Sequence, residues 1–312
     1  MNAQRQSLWR YAGPRYWLVW AGFGLLRVVS LTPFGLQMRA GRLLGRLARR
    51  ILRSRRRIAS RNLRLCFPEQ SDAQRGRLLN AHFENLGISL FEMAMAYYRP
   101  SRFDGRVRFE GIETLQRAVP GSVILLTAHF GALEVGGSAL KALGISFDAV
   151  YRQDNNPLTN ELIRRGREQS GRSTIEKSNI KQMVRSLRAG IPVWYAPDQS
   201  YRRKQSELLP FFGVPAMTNT ATSSLARLGK AQVIGFFPHR RADLSGYDIA
   251  VIGPLADFPG DDAAADTQRI TEMFEAQIQR SPAQYYWVHR KFKGRPDTLP
   301  DAYAELRAED VS

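Results

Sequence analysis

His129 and Glu134 stand in the run Ser122-Val-Ile-Leu-Leu-Thr-Ala-His-Phe-Gly-Ala-Leu-Glu134. The apolar stretch, bounded by Gly and Thr, reads as a core strand. A titratable pair just beyond such a strand lies where open α/β sheets build their active sites. Five residues of continuous helix turn through about 140°, so the two side chains would not share a face. They meet only if His129 lies in a turn and Glu134 on the first turn of the next helix, and Gly131 gives the backbone that freedom. Glu134 then accepts from one ring nitrogen and fixes the tautomer, while the other nitrogen faces outward as a general base. No protein nucleophile accompanies the pair, so the hydroxyl it activates comes from a substrate. The same spacing also suits a hydrogen-bonded structural pair. Of the four histidines, His82, His129, His239 and His289, only His129 has this context.

The surrounding pattern predicts the elements that position these residues. Helices are expected over 73–98, 112–118, 132–143, 157–170, 180–189, 218–228 and 264–280. Strands are expected over 107–110, 123–127, 147–151, 193–196, 232–237 and 247–252. Strands alternating with helices predict an α/β fold with a mostly parallel central sheet flanked by helices. A chain of 312 residues can bury a sizeable core. The net charge of +18 implies polyanionic partners, nucleic acid or anionic lipid head groups. Cys66 is the sole cysteine, so no intramolecular disulfide forms, and a small buried hydrophobe is its expected role.

The N-terminal region decides between those partners. After Arg5, Arg10 and Arg15, an apolar run extends from Tyr16 to Leu36, interrupted by Arg27 and Pro33. Its length suits a spanning helix of roughly 20 residues, and Trp17 and Trp20 suit an interfacial belt. Residues 1–38 are therefore expected to be a retained membrane anchor, a single span or an interfacial helix. Residues 39–71 carry Arg42, Arg46, Arg49, Arg50, Arg53, Arg55, Arg56, Arg57 and Arg61, with leucines interleaved at helical spacing. This reads as a basic amphipathic segment on an anionic leaflet, with the body of the protein, residues 72–312, on the cytoplasmic side. A nucleic-acid partner would explain the arginines but not the apolar run beside them, so none is expected.

Several motifs in order carry a family resemblance. Thr127-Ala-His-Phe-Gly-Ala-Leu-Glu134 resembles the His-x4-Asp/Glu box of the glycerolipid acyltransferase superfamily, and its glutamate resembles the late acyltransferases of lipid A biosynthesis, the lauroyl/myristoyl transferase family. Asn62-Leu-Arg-Leu-Cys-Phe-Pro-Glu69, Val150-Tyr-Arg-Gln-Asp-Asn-Asn-Pro-Leu158, Gly166-Arg167, Val193-Trp-Tyr-Ala-Pro-Asp-Gln199, Pro210-Phe-Phe-Gly-Val-Pro-Ala216 and Gln284-Tyr-Tyr-Trp-Val-His-Arg-Lys-Phe-Lys293 are similar to further blocks of that family.

The resemblance implies transfer of a fatty acyl chain, of the lauroyl type, from acyl carrier protein to a hydroxyl on a hydroxyacyl chain of a lipid A precursor, with or without Kdo sugars in place. It implies an inner-membrane location and neither cofactor nor metal. His129 takes the hydroxyl proton and Glu134 orients it. Backbone N–H groups near Gly131 are candidates for the oxyanion. Arg167 and Asp198 match active-site positions, Asp198 holding Arg167 in place. Arg152 is a candidate for the glycan phosphates, and Arg202, Arg203 and Lys204 for the phosphates or the acidic carrier. Trp194, Tyr195, Phe211 and Phe212 suit an acyl channel or plain core. His289, Arg290 and Lys291 fit the family block without an assigned role. A lysophospholipid or glycerol-phosphate acyltransferase is the rival within the superfamily, usually with aspartate where this chain has Glu134.

Overall fold

A computed structural model describes residues 7–201 and 205–308. Arg5, Arg202, Arg203 and Lys204 lie outside the described residues. The N-terminal part holds α1 (Trp17–Val29), α2 (Phe34–Ile51), α3 (Arg53–Cys66) and α4 (Asp72–Tyr98). There follow β1 (Val107–Glu110), α5 (Ile112–Ala118), β2 (Val123–Leu126), α6 (Leu133–Ala142), β3 (Asp148–Tyr151), α7 (Pro157–Arg167), β4 (Ser173–Glu176), α8 (Ile180–Arg188) and β5 (Val193–Tyr195). The chain closes with β6 (Ser206–Phe211), β7 (Val214–Asn219), α9 (Ala221–Gly229), β8 (Gln232–Arg240), β9 (Tyr247–Ile252), α10 (Ala263–Arg280) and α11 (Ala304–Ala308).

Seven strands form one sheet in the order β1-β9-β8-β2-β5-β3-β4. The pairs β8–β2, β2–β5, β5–β3 and β3–β4 are parallel, and β9 runs antiparallel to β8. β2 sits in the middle and all four of its residues are buried. Its side chains alternate: Ile124 and Leu126 join a core cluster with α3, α8, α9 and α10, whereas Val123 and Leu125 join one with α5 and α6. Helices on both faces are what a parallel sheet needs, and they explain why β2 reads as an unbroken apolar run.

Three strands escape the sequence pattern. β4 is a short edge strand with polar residues. β6 and β7 form a separate antiparallel hairpin, closed at Phe212 and Gly213, both with positive φ. Its strands each carry a proline, and Pro210 faces Pro215 in the register. Proline is tolerated here because two strands alone leave every residue on an edge. The helix expected from residue 218 begins at Ala221 because the hairpin claims the residues through Asn219.

The expected spanning anchor is corrected. α1 has 13 residues, about 20 Å at 1.5 Å per residue. That is short of the roughly 30 Å hydrocarbon core. The turn at Ser30–Thr32 and the extended Pro33 break the apolar run, and Phe34 opens a new helix. No helix among the described residues is long and apolar enough to cross a membrane. α2 instead lies against α4 through glycines: a Cβ on Gly45 would fall 2.1 Å from the Phe83 carbonyl oxygen, and one on Gly87 would fall 2.1 Å from the Gly41 carbonyl oxygen. This approach buries Phe34, Met38, Gly41 and Gly45 and leaves Leu36, Leu43, Leu47 and Ile51 exposed on the opposite side. α4 itself starts with a capping box in which Ser71 and Gln74 satisfy each other's backbone N–H groups.

Candidate active site

The register between β2 and β5 pairs Leu126 with Tyr195. His129 lies three residues past Leu126 and Asp198 three past Tyr195, so equal steps beyond two paired strand ends bring them together. The backbone contact continues with Thr127 N–H donating to the Tyr195 carbonyl at 3.0 Å. Asp198 then takes two hydrogen bonds from His129. Ring Nδ1–H donates to Oδ1 at 2.5 Å and the main-chain N–H to Oδ2 at 3.2 Å. The Asp198 side chain is 2% exposed, while His129 keeps 34% of its side chain accessible. With Nδ1 committed to the carboxylate, Nε2 is left as the lone-pair nitrogen.

Glu134 lies on the first turn of α6, as the spacing requires, but its partner is Arg167. Nε and Nη2 of Arg167 donate to Glu134 Oε1 at 3.0 and 2.8 Å. The expected pairing is therefore exchanged: Asp198 orients His129, and Glu134 holds Arg167. The physical reason is the strand order. β5 is the immediate neighbour of β2, so the Asp198 loop reaches the histidine from the side, whereas Glu134 faces the end of α7. Gly166 lets the end of α7 pack on α4, since a Cβ there would lie 2.3 Å from the Tyr97 ring. The Tyr97 phenol is pushed well above its ordinary value by burial and by the Glu134 carboxylate.

Electrostatics separate His129 from the other three histidines. Burial pulls His82, His239 and His289 down to about 4. Burial also pulls His129 down, but the Asp198 carboxylate reverses this and leaves the imidazole above its ordinary value, while the Arg167 cation opposes the rise. For Asp198, burial pushes the carboxyl up, and the His129 ring together with Lys291 brings it below its ordinary value.

The 284–287 segment returns beside this loop. Phe130 bridges Tyr285 in antiparallel fashion, Tyr286 N–H donates to the His129 carbonyl at 3.0 Å, and Gly131 N–H donates to the Gln284 carbonyl at 2.8 Å. That last bond commits the Gly131 N–H itself and takes it out of the backbone donors expected near this turn. Gly131 is also not needed for an unusual backbone angle. It is needed for space, since a Cβ would meet Ser89 Oγ at 2.4 Å. Asn62 of α3 tethers the same segment, donating to the carbonyls of Trp287 and His289 at 2.7 Å.

Arg152 is exposed just past β3 and is not drawn into the four-residue group. Trp194 packs edge-on between Phe147 and Phe236, and Phe211 is buried in the main core, so these two serve as core rather than channel. The Tyr195 hydroxyl accepts from Asn219, and Phe212 meets Phe67 and Trp287 at tilted angles. Cys66 is buried, with its thiol pushed far up by desolvation. Sequence reasoning gave no role to Tyr97 or Tyr285. Tyr285 stands in the C-terminal block already singled out, and Asp198 pushes its phenol up on top of its burial.

An imidazole held by a buried carboxylate, at the carboxyl ends of the central strands of a parallel sheet, is the arrangement of an α/β enzyme with a general base. Comparison with known proteins narrows this class. The chain belongs to the family described as bacterial lipid A biosynthesis acyltransferase, which matches residues 4–294. It is 37% identical over 297 residues to the lipid A biosynthesis lauroyltransferase of Escherichia coli (strain K12), covering 93% of this chain and 96% of that protein. It is 37% identical over 290 residues to the lipid A biosynthesis palmitoleoyltransferase of the same organism, covering 91% and 93%. The myristoyltransferase of that organism is 29% identical over 286 residues, covering 90% and 88%. The protein is an acyltransferase of lipid A biosynthesis.

Proposed function

We propose that this acyltransferase moves a lauroyl-type chain from an acyl carrier protein thioester to a hydroxyl on a hydroxyacyl chain of a lipid A precursor. His129 Nε2 takes the proton as the hydroxyl oxygen attacks the thioester carbonyl. Asp198 fixes the ring tautomer and stabilises the imidazolium that forms. Arg167, clamped by Glu134, supplies the positive charge for the developing oxyanion. Collapse of the tetrahedral intermediate expels the carrier's thiolate, which takes the proton back from the imidazolium. The observation that carries this reading is the 2.5 Å bond from His129 Nδ1 to the buried Asp198, which leaves Nε2, on a partly exposed side chain, as the base.

The enzyme works from the cytoplasmic face of the inner membrane, lying in the interface on α1 and α2. Leu18, Leu25, Val28, Leu43, Leu47 and Ile51 are exposed on these helices. Arginines interleave with them, and no acidic residue occurs before Glu69. Exposed apolar side chains among cations suit an anionic leaflet.

The test is direct. Purified protein supplied with acyl carrier protein thioester and lipid A precursor should release free carrier, and His129→Ala should abolish the release in a folded protein. Full activity in that variant would overturn the mechanism. Mass spectrometry of lipid A from cells lacking the protein reports the missing chain. Loss of a lauroyl group supports the donor proposed, and loss of a palmitoleoyl group replaces it.

A further inference from the structure

Lys291 is a buried cation that the reaction as described does not use. It is 3% exposed. Its Nζ donates to the main-chain carbonyl of Asp198 at 2.7 Å and lies 4.6 Å from the centre of the Phe211 ring. Cys66 from α3 and Glu275 from α10 also face it, and His289 lies two residues away. None of the ion pairs among the described residues includes it. A buried ammonium without a carboxylate at salt-bridge distance is costly, so its placement calls for a reason beyond packing.

The reason lies in what it touches. Beyond β5 the loop that carries Asp198 is tied at Ser200 to the Lys293 carbonyl and at the Tyr201 N–H to the Met217 carbonyl, and the ammonium grips it at the carbonyl of Asp198 itself. The lysine is in turn fixed from α3, because Asn62 holds the carbonyls of Trp287 and His289, and Lys291 N–H donates to the His289 carbonyl at 2.9 Å. A continuous chain of contacts therefore runs from Asn62 through the C-terminal segment to Lys291, Asp198 and His129.

We propose that Lys291 is a positioning residue for acyl transfer: its ammonium holds the Asp198 loop so that the carboxylate meets His129, and the dyad keeps its geometry only while the lysine is protonated. This rests on the reading in which Asp198 orients His129. Desolvation pulls the Lys291 amine down to about 8, with Asp198, Cys66 and Glu275 opposing the fall. The charge is thus lost within a range where an acyltransferase can be assayed.

The experiment measures kcat and KM for carrier-bound donor across pH in the wild type, Lys291→Met and Lys291→Arg, with thermal melting of each. The wild type should lose kcat above pH about 8 at constant KM. Lys291→Met should lose on the order of 100-fold in kcat, the cost of a small misplacement of a reacting group, with KM retained and no alkaline fall. Lys291→Arg, charged throughout, should recover part of kcat and also lack the alkaline fall. A folded Lys291→Met with wild-type kcat and an unchanged alkaline fall would overturn the proposal. If neither variant folds, the wild-type profile decides: a fall in kcat above pH about 8 supports it, and a kcat that stays level there overturns it. Asp198→Asn, run in parallel, separates the two readings. Full activity there means the dyad itself is wrong, whereas loss there with none in Lys291→Met removes only the lysine's role.

Discussion

Asp198→Asn is the sharpest test of how the site works. Asparagine matches the carboxylate in size and sits in the same buried position, so packing is preserved. What changes is the hydrogen bond at Nδ1. An amide nitrogen turned toward the ring donates to Nδ1, forces the proton onto Nε2 and leaves no base facing the substrate. If the amide oxygen faces the ring instead, the tautomer survives, but the imidazolium formed during transfer loses its counter-charge. Removing the orienting aspartate of a Ser-His-Asp triad costs on the order of 10⁴-fold in kcat, or about 5 kcal/mol at about 1.36 kcal/mol per factor of ten. A loss of that order is expected here, because the 2.5 Å bond to Nδ1 orients the His129 ring and the carboxylate that accepts it is buried. The assay is thiol release from the carrier-bound donor at saturating lipid acceptor, with melting temperature as the control for folding. The pH profile gives a second readout. The base must be neutral, and the Asp198 carboxylate holds His129 above its ordinary value of about 6.5. The wild-type rate should therefore rise with pH through a value above that, and the rising limb of Asp198→Asn should move to lower pH. If Asp198→Asn stays within about tenfold of wild type while Glu134→Gln loses about 10⁴-fold and shifts the limb, then Glu134 is the orienter and the pairing described here is not the one used in catalysis.

Further expectations follow from the same contacts. Arg167→Met should lower kcat on the order of 10²–10³-fold, as expected for removing one stabiliser of the oxyanion. It should also move the rising limb to higher pH, opposite to Asp198→Asn, because Arg167 depresses His129. Gly45→Ala should destabilise the protein by about 1–3 kcal/mol, read from denaturant midpoints, because its Cβ meets the Phe83 carbonyl oxygen at 2.1 Å. An unchanged midpoint would mean that α2 sits more loosely on α4. Replacing Leu43, Leu47 and Ile51 together by serine should weaken binding to anionic vesicles on the order of 10²-fold, at about 1 kcal/mol per exposed side chain, with kcat on detergent-dispersed substrate retained. Extraction of the wild-type protein by alkaline carbonate is expected of an interfacial anchor, and resistance to it would argue for insertion across the bilayer.

The sheet and most of its helices were legible because β2, β5 and β8 are short apolar runs and the helices between them carry a 3.6-residue pattern. His129 and Glu134 were legible from the strand, turn and helix around them, whereas Arg167 and Asp198 entered only through the family resemblance. Who pairs with whom was not legible. His129 and Asp198 are 69 residues apart, and they meet because β5 inserts between β2 and β3, a strand order no local pattern encodes. Glu134 looked like the partner because it is near in sequence. The β6–β7 hairpin hid behind its prolines, which ordinarily argue against strands. The single span misled because hydropathy sums over the turn at Ser30–Thr32, which separates α1 from α2. Lys291 was visible only as part of a motif, since burial of a lysine is a property of the finished fold.

The return of residues 284–287 beside the His129 loop also sets an order of events. The base comes from position 129, its carboxylate from 198, the bridge that flanks it from 285 and the grip on the Asp198 main-chain carbonyl from 291. A ribosome that has made the first 200 residues has made both members of the dyad but nothing that closes over them. An emerging chain is therefore expected to have no transferase activity until the 284–291 segment arrives, by which time the N-terminal helices, on the interfacial placement proposed above, have long been free to settle on the membrane. The enzyme would reach its lipid before it can act on it.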